Sequence, residues 1–399
     1  MTSYPKKYNL VELLTVVLLL STFLFGSALY LTAGNMKLSA AYVKTAISEK
    51  SDKIAIEDGM RPIPNDIPAF DDVGHISKEA LPNTEPGMQW KFGNNLDNID
   101  YLLLANGQDP GPPFRYRVLG PRFAKIISDI VGVSVSESFI LINSLSVIFA
   151  GFLIYVICCS SFGLTPPYSL LAAASITSVP PITGTVWTPS IDPMTILVST
   201  LLAWMAIQGY IRAFFVASAL SMLLKEVFLV HSLVFFAVLA TSRISGARKS
   251  PSWTTLTTGF MLSPMVFASI RLLHGDPAFS INYGYDLSRL ELPSYALRLS
   301  DPIMLVTILG LVAVAFGVIW LGALTNFARL VKRFQVHGLP GVLRERYDVF
   351  ALGMTIGILG SVIIASSKIT RPLGILFPFI VPYFFTYVAN HLQKDGLSS

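Results

Sequence analysis

Apolar and polar positions along this chain segregate into long blocks rather than alternating with the short periods of a soluble fold. Apolar runs occupy 10–33, 139–160, 170–187, 193–210, 213–224, 227–240, 254–273, 302–324, 349–365 and 372–389. Several approach the roughly 20 residues a helix needs to cross a bilayer. The pattern predicts an all-α polytopic membrane protein with about ten membrane segments. Three runs depart from the simple span. The run at 170–187 is weakly apolar and interrupted by Pro180, Pro181 and Gly184, so its backbone must lie against protein or a water-filled cavity. The runs at 213–224 and 227–240 are short halves around the charged pair Lys225-Glu226, and predict two helices meeting near a membrane surface. In 122–133, Phe123, Ile126, Ile127 and Ile130 share one helical face while Lys125, Ser128 and Asp129 lie largely off it. That is the pattern of a helix lying in the interface plane.

Composition agrees with the pattern. The chain has 399 residues, of which 53% are hydrophobic and only 13% charged, and its mean hydropathy is +0.61. The net charge of +5 is no sign of nucleic-acid binding, because the basic residues sit in short loops between apolar runs. There they set topology, with Lys6, Lys7, Arg243, Arg248, Lys249 and the cluster Arg329, Lys332, Arg333, Arg344, Arg346 all falling on one side. This predicts both termini in the cytoplasm of a bacterial inner membrane, with the first apolar run retained as a span. The expected units are 1–33 (N-terminus and first span), 34–137 (a long outer loop with interfacial helices), 138–391 (the multi-span body) and 392–399 (a tail). From 34 to 117 there are 12 acids against 9 lysines and arginines. In that loop 37–53 reads as an amphipathic helix and 61–87 as proline-rich and irregular. The two cysteines, Cys158 and Cys159, lie adjacent in an apolar run and read as small packing residues.

Candidate chemistry collects on the predicted outer side: the stretch 94–122, Asp192, Lys225-Glu226, the loop 274–301 and the turn 368–371. Ionisable groups at membrane depth face a cavity or a partner. Asp97, Asp100 and Tyr101 come first. The spacing Asp97-x-x-x-Tyr101 puts an acid and an aromatic on one helical face. Such a carboxylate is either a general base or an exposed acid beside a buried tyrosine. Arg115 and Arg117 flank Tyr116 in a proline-rich turn, and either bind phosphate or snorkel to lipid headgroups. Asp192 before Pro193 is either a helix N-cap or a cavity residue. Lys225 and Glu226 need partners or water. Arg371 either neutralises an anionic donor or anchors the last span. His231 reads as a satisfied core histidine, with no second ligand at i+3 or i+4. No glycine-rich phosphate loop, zinc motif or serine elbow stands out. A cytosolic nucleotide is therefore not the expected substrate. No cofactor is indicated, and a divalent metal stays open as a cofactor with no motif to support it.

The order of these features resembles the glycosyltransferase-C superfamily, polytopic enzymes that use polyprenyl-phosphate-linked sugars. The resemblance rests on Asp97-x-x-x-Tyr101-x-x-x-Ala105 in the first outer loop, then Phe114-Arg115-Tyr116-Arg117-Val118-Leu119 and an interfacial helix. Asp192-Pro193 follows, and then Lys225-Glu226 after a short apolar helix. It implies a catalytic base at Asp97, with Asp100 in reserve because Asn98 stands where many relatives carry a second acid. It also implies phosphate binding by Arg115, Arg117, Lys225 and Arg371, in a cavity shaped by Tyr101, Asp192 and Glu226. The implied partners are a polyprenyl-phosphate lipid donor and a glycan, lipid or protein acceptor at the outer face. A transporter or flippase for a lipid-linked anion, and a non-catalytic subunit of a membrane complex, are the rival expectations.

Overall fold

The computed structural model describes residues 15–22, 96–107, 109–110, 114–179, 182, 185–186, 188–246, 251–275, 310, 313, 315–365 and 373–394. Among them every regular element is helical, with no strand. Helix α1 spans Leu96–Ala105 and a short 3-10 turn covers Phe114–Tyr116. Helix α2 follows at Leu119–Val131, α3 at Val135–Ser161 and α4 at Pro166–Ala174. Then come α5 at Asp192–Gln208, α6 at Ile211–Ser221, α7 at Phe228–Ile244 and α8 at Trp253–Leu273. The last three are α9 at Leu321–Arg344, α10 at Arg346–Ala365 and α11 at Phe377–Lys394.

Among the described residues, α3, α8 and the segment Gly374–Leu392 are long and apolar enough to cross a membrane. At 27 residues, α3 is about 40 Å long, by the rise of a standard helix. It starts sharply because Ser134 and Glu137 form a reciprocal capping box, with the Ser134 amide donating to the Glu137 carboxylate and the Glu137 amide donating to Ser134 Oγ. One stripe of α3, Leu141, Leu145 and Phe149, stands exposed while Phe139, Ile142 and Ile154 are buried. Exposed leucine and phenylalanine one turn apart are unfavourable in water, and natural against lipid. The same holds for α2. Its bundle face is Gly120, Pro121, Ala124 and Ser128, all small or compact. Its large apolar residues point the other way, with Phe123 at 47%, Ile126 at 52% and Ile130 at 75% exposure. The helix packs by its small residues and presents its large ones outward, the amphipathic pattern read over 122–133. The described residues are therefore all-α, with three helices that could cross a membrane.

The broken run behaves as its prolines require. Helix α4 gives way to a 3-10 turn at Ser175–Ser178, and Val179 is extended. Ile176, Val179, Ile182 and Val186 are all buried, so the irregular backbone lies in protein rather than lipid. The short halves α6 and α7 meet around 222–227. Hydroxyls tie them to α8: Ser232 Oγ lies 2.8 Å from Ser218 Oγ and 2.6 Å from Ser263 Oγ, and Ser218 Oγ donates to the Phe228 carbonyl at 2.9 Å. Such small hydroxyl contacts hold helices together where the hydrophobic effect cannot. His231 is a core histidine, buried and 2.9 Å from Ser199 Oγ. Cys158 is buried, and both cysteines are free.

One expectation is corrected. The basic cluster of 329–346 is not a loop. Helix α9 carries Arg329, Lys332, Arg333 and Arg344, and Arg346 opens α10. The boundary of the expected span at 302–324 falls inside helical structure, because the chain turns at Gly317 (φ +52°) and again enters helix from Leu321. Helix α9 lies so close to α11 that a Cβ on Gly322 would strike the backbone of Ile380. That contact seats the start of α9 against α11, and the helix then runs on through the basic residues, where apolar periodicity alone predicted an end. The helix bends at Gly338, where φ is +63°, two residues before Pro340.

Candidate functional site

The starts of α2, α5 and α7 and the ends of α6 and α8 meet at one end of the bundle. A backbone bond from the Leu119 amide to the Leu223 carbonyl, 3.0 Å, ties the turn before α2 to the turn between α6 and α7. A side chain on Gly120 would strike Ile191 and approach Leu224, so only glycine allows α2 to seat against the start of α5. These contacts bring the 3-10 turn at Phe114–Tyr116, Asp192 and the Lys225-Glu226 pair into one layer.

In that layer Lys225 and Glu226, neighbours in sequence, take different partners. Arg117 Nε donates to Glu226 Oε2 at 3.1 Å, and Arg117 Nη1 donates to the Tyr101 hydroxyl at 2.9 Å. The Arg117 guanidinium also stands 5.0 Å from the Phe114 ring centre, and Phe114 meets Tyr101 edge-on at 5.5 Å. Lys225 Nζ donates to Asp192 Oδ1 at 2.7 Å, and Ser190 Oγ donates to Asp192 Oδ2 at 3.2 Å. Two cations and two carboxylates thus neutralise one another across three separate parts of the chain, nearly dry. Both pairs would have to open before Arg117 or Lys225 could hold a phosphate.

The N-cap expectation for Asp192 is corrected by the same geometry. Ile191 occupies the cap position, no side chain caps the helix, and Asp192 is the first helical residue. Its carboxylate turns to Lys225 because a buried carboxylate gains more from a full positive charge than from one amide. Tyr101 and Ala105 lie buried on one face of α1, and Asp100 is buried beside them. Asp97 stands on the same helix one turn before Tyr101, and its side chain lies outside the described residues. Arg115 pairs with the exposed Asp109 at 3.1 Å. Arg371, and the loop 276–301 with its arginines and acids, lie outside the described residues.

Arg271 was not singled out by the sequence. It sits in the last turn of α8 within an apolar run, and its only signal was a charge one turn before a predicted membrane exit. The structure buries it between two rings, 4.2 Å from the Phe267 centre and 4.8 Å from that of Tyr116. Tyr116 in turn meets the His274 ring edge-on at 5.8 Å. The aromatic between the two expected phosphate-binding arginines is therefore the link from their turn to α8.

The opposite end is also more than a topological device. A cavity of about 630 Å³ is lined there by residues of α3, α5, α9, α10 and α11, among them Arg329, Tyr347, Asp348, Asn390 and His391. Tyr383 donates its hydroxyl to Asp348 Oδ1 at 2.7 Å, and Arg329 stands 3.6 Å from Oδ2. Arg333 pairs with Glu345 at 2.8 Å. Among the described residues no group of three His, Cys, Asp or Glu side chains is placed to hold a metal.

No family model, no curated protein and no solved structure matches this chain. The described fold is an all-α bundle with three helices that could cross a membrane, a neutralised polar layer at one end and an open polar cavity at the other.

Proposed function

We propose that this protein is a glycosyltransferase of the glycosyltransferase-C type, moving a sugar from a polyprenyl-phosphate-linked donor to an acceptor at the outer face of a bacterial inner membrane. In this reading the chain crosses the membrane about ten times with both termini inside, and the Asp192 end of the bundle is the outer one. The observation that carries it is the convergence of distant segments. The helix bearing Asp97 and Asp100, the arginine turn, Asp192 and Lys225-Glu226 are the features whose order in sequence resembles that superfamily, and they are neighbours in space. Tyr101 binds Arg117, so the acid-bearing helix and the cationic turn move as one unit. Asp97, with Asp100 behind it, would take the proton from the acceptor. Arg115 and Arg371 would face the donor phosphate, and the two ion pairs would hold the cavity wall.

The test is transfer of a labelled sugar by the purified protein in proteoliposomes. Asp97→Asn is expected to lower product about 100-fold or more, the usual weight of a general base, at unchanged expression. Product equal to wild type removes Asp97 as the base. One observation favours the reading as a non-catalytic subunit: Arg117, Lys225, Asp192 and Glu226 are all spent on one another. Stable co-purification with a partner, together with activity of that complex insensitive to substitution of either Asp97 or Asp100, would decide for it.

A further inference from the structure

Arg271 is 1% exposed, and none of its three guanidinium nitrogens has a hydrogen-bond partner among the described residues. By contrast, Arg117 and Lys225 at this end are each paired with a carboxylate. The flanking rings of Tyr116 and Phe267 attract the charge through their faces, but they leave the in-plane N–H donors empty. The C-terminal end of α8 favours a positive charge without supplying an acceptor for those donors. A buried guanidinium with all of its donors open is costly unless an oxyanion completes it. Rings on its faces fix its plane, so the donors form a preset fork of the kind that grips phosphate or carboxylate by two oxygens.

The neighbours on α8 indicate what carries that anion. Leu272 and Leu273 are 61% and 85% exposed, and Met261 and Met265 also face outward. An apolar chain can lie along this helix beside the fork, and its headgroup must displace what covers the guanidinium to reach it. We propose that Arg271, held between Tyr116 and Phe267 and three residues before His274, is the binding site for the phosphate of a phosphate-bearing lipid. The site deepens the transferase reading by naming its anion holder, a residue outside the set that the sequence suggested. It is nevertheless tested by binding alone, so the outcome for sugar transfer does not decide it.

The experiment measures binding of dodecyl phosphate, dodecanol and inorganic phosphate to the full-length protein in detergent, by ligand-induced shift in melting temperature and by native mass spectrometry. Dodecyl phosphate is expected to bind and raise the melting temperature, and dodecanol to do neither. Arg271→Gln and Arg271→Lys should each weaken binding by about tenfold or more, since lysine keeps the charge but lacks the planar fork. Inorganic phosphate is expected to compete only at far higher concentration. Competition at equal concentration would transfer the site to a free phosphate and overturn the lipid assignment. If Arg271→Gln does not fold, the lysine variant and the wild-type melting shift still decide. No shift in wild type with any phosphate probe overturns the proposal, as does a folded variant that binds dodecyl phosphate as wild type does. Binding lost in the Arg271 variants while Asp97→Asn binds normally and wild type transfers no sugar would keep this site and remove only the transferase reading.

Discussion

The two ends of the bundle hold similar residues in different ways. At the Asp192 end, Arg117–Glu226 and Asp192–Lys225 join residues 109 and 33 positions apart, at 3.1 and 2.7 Å, with little water access. At the Asp348 end, Arg329 stands 3.6 Å from Asp348 and Arg333 pairs with Glu345 while each is more than a third exposed, around a cavity of about 630 Å³. About 22 Å of helix, the length from Asp192 to Ile207 in α5, separates them. The difference teaches that charge count alone says little about a membrane protein's working surface. Where charges are dry and matched they staple segments together, and what remains for a ligand is the charge left over. At the first end that is Arg271. At the second, Arg329, Arg333 and Glu345 are wet while Asp348 is buried and held by the Tyr383 hydroxyl, so the exposed Arg333–Glu345 pair is the weak one.

The sharpest way to break this comparison is to remove one carboxylate from the dry layer. Glu226→Ala leaves the Arg117 charge buried without the Glu226 carboxylate. It should destabilise the protein by about 3 kcal/mol or more, as breaking a buried pair does. Unfolding in a mixed-micelle denaturant series would measure it, and a change below about 1 kcal/mol, the range of exposed pairs, would mean that this layer is as wet as the other end. A smaller effect comes from the second pair. Asp192→Ala alone should cost about 2–4 kcal/mol, whereas adding Lys225→Met should recover most of that, because apolar groups of similar volume can replace a buried ion pair at little cost. A double-mutant cycle reads the coupling directly, and additive losses would show that the two side chains do not act as a pair. The smallest effect belongs to the open end. Arg333→Gln should change stability by about 0–1 kcal/mol, since an exposed pair competes with water, and a larger loss would place that helix in a drier setting than its exposure suggests.

Much of the framework was legible from apolar block lengths. The helices at Val135–Ser161, Trp253–Leu273 and Phe228–Ile244 lie within a few residues of the runs that predicted them. The amphipathic helix of 122–133, the end of regular helix after Ala174 and the core role of His231 were legible too, because each depends on local spacing or on one residue's chemistry. Helix α9 was not. Its basic residues satisfy the rule for an inner loop, and only the folded backbone shows that they continue the helix that starts at Leu321. The N-cap expectation for Asp192 failed for a related reason. Local preference favours aspartate at a cap, but a lysine 33 residues away offers a full charge.

What the sequence alone determined about this protein is its solvent and its segments: an all-α chain for a bilayer, with polar chemistry concentrated in a few named stretches. Those follow from the cost of exposing backbone and charge to lipid, which each segment faces by itself. What only the tertiary structure decided is which charges are spent and which are not. Adjacent Lys225 and Glu226 look like one pair in the chain, yet one holds Asp192 and the other Arg117. Arg271 draws no notice in the chain, yet it lies buried between two rings with no hydrogen-bond partner among the described residues. The strength of an ionic contact depends on distance and on the exclusion of water, and neither is a property of any single stretch of sequence.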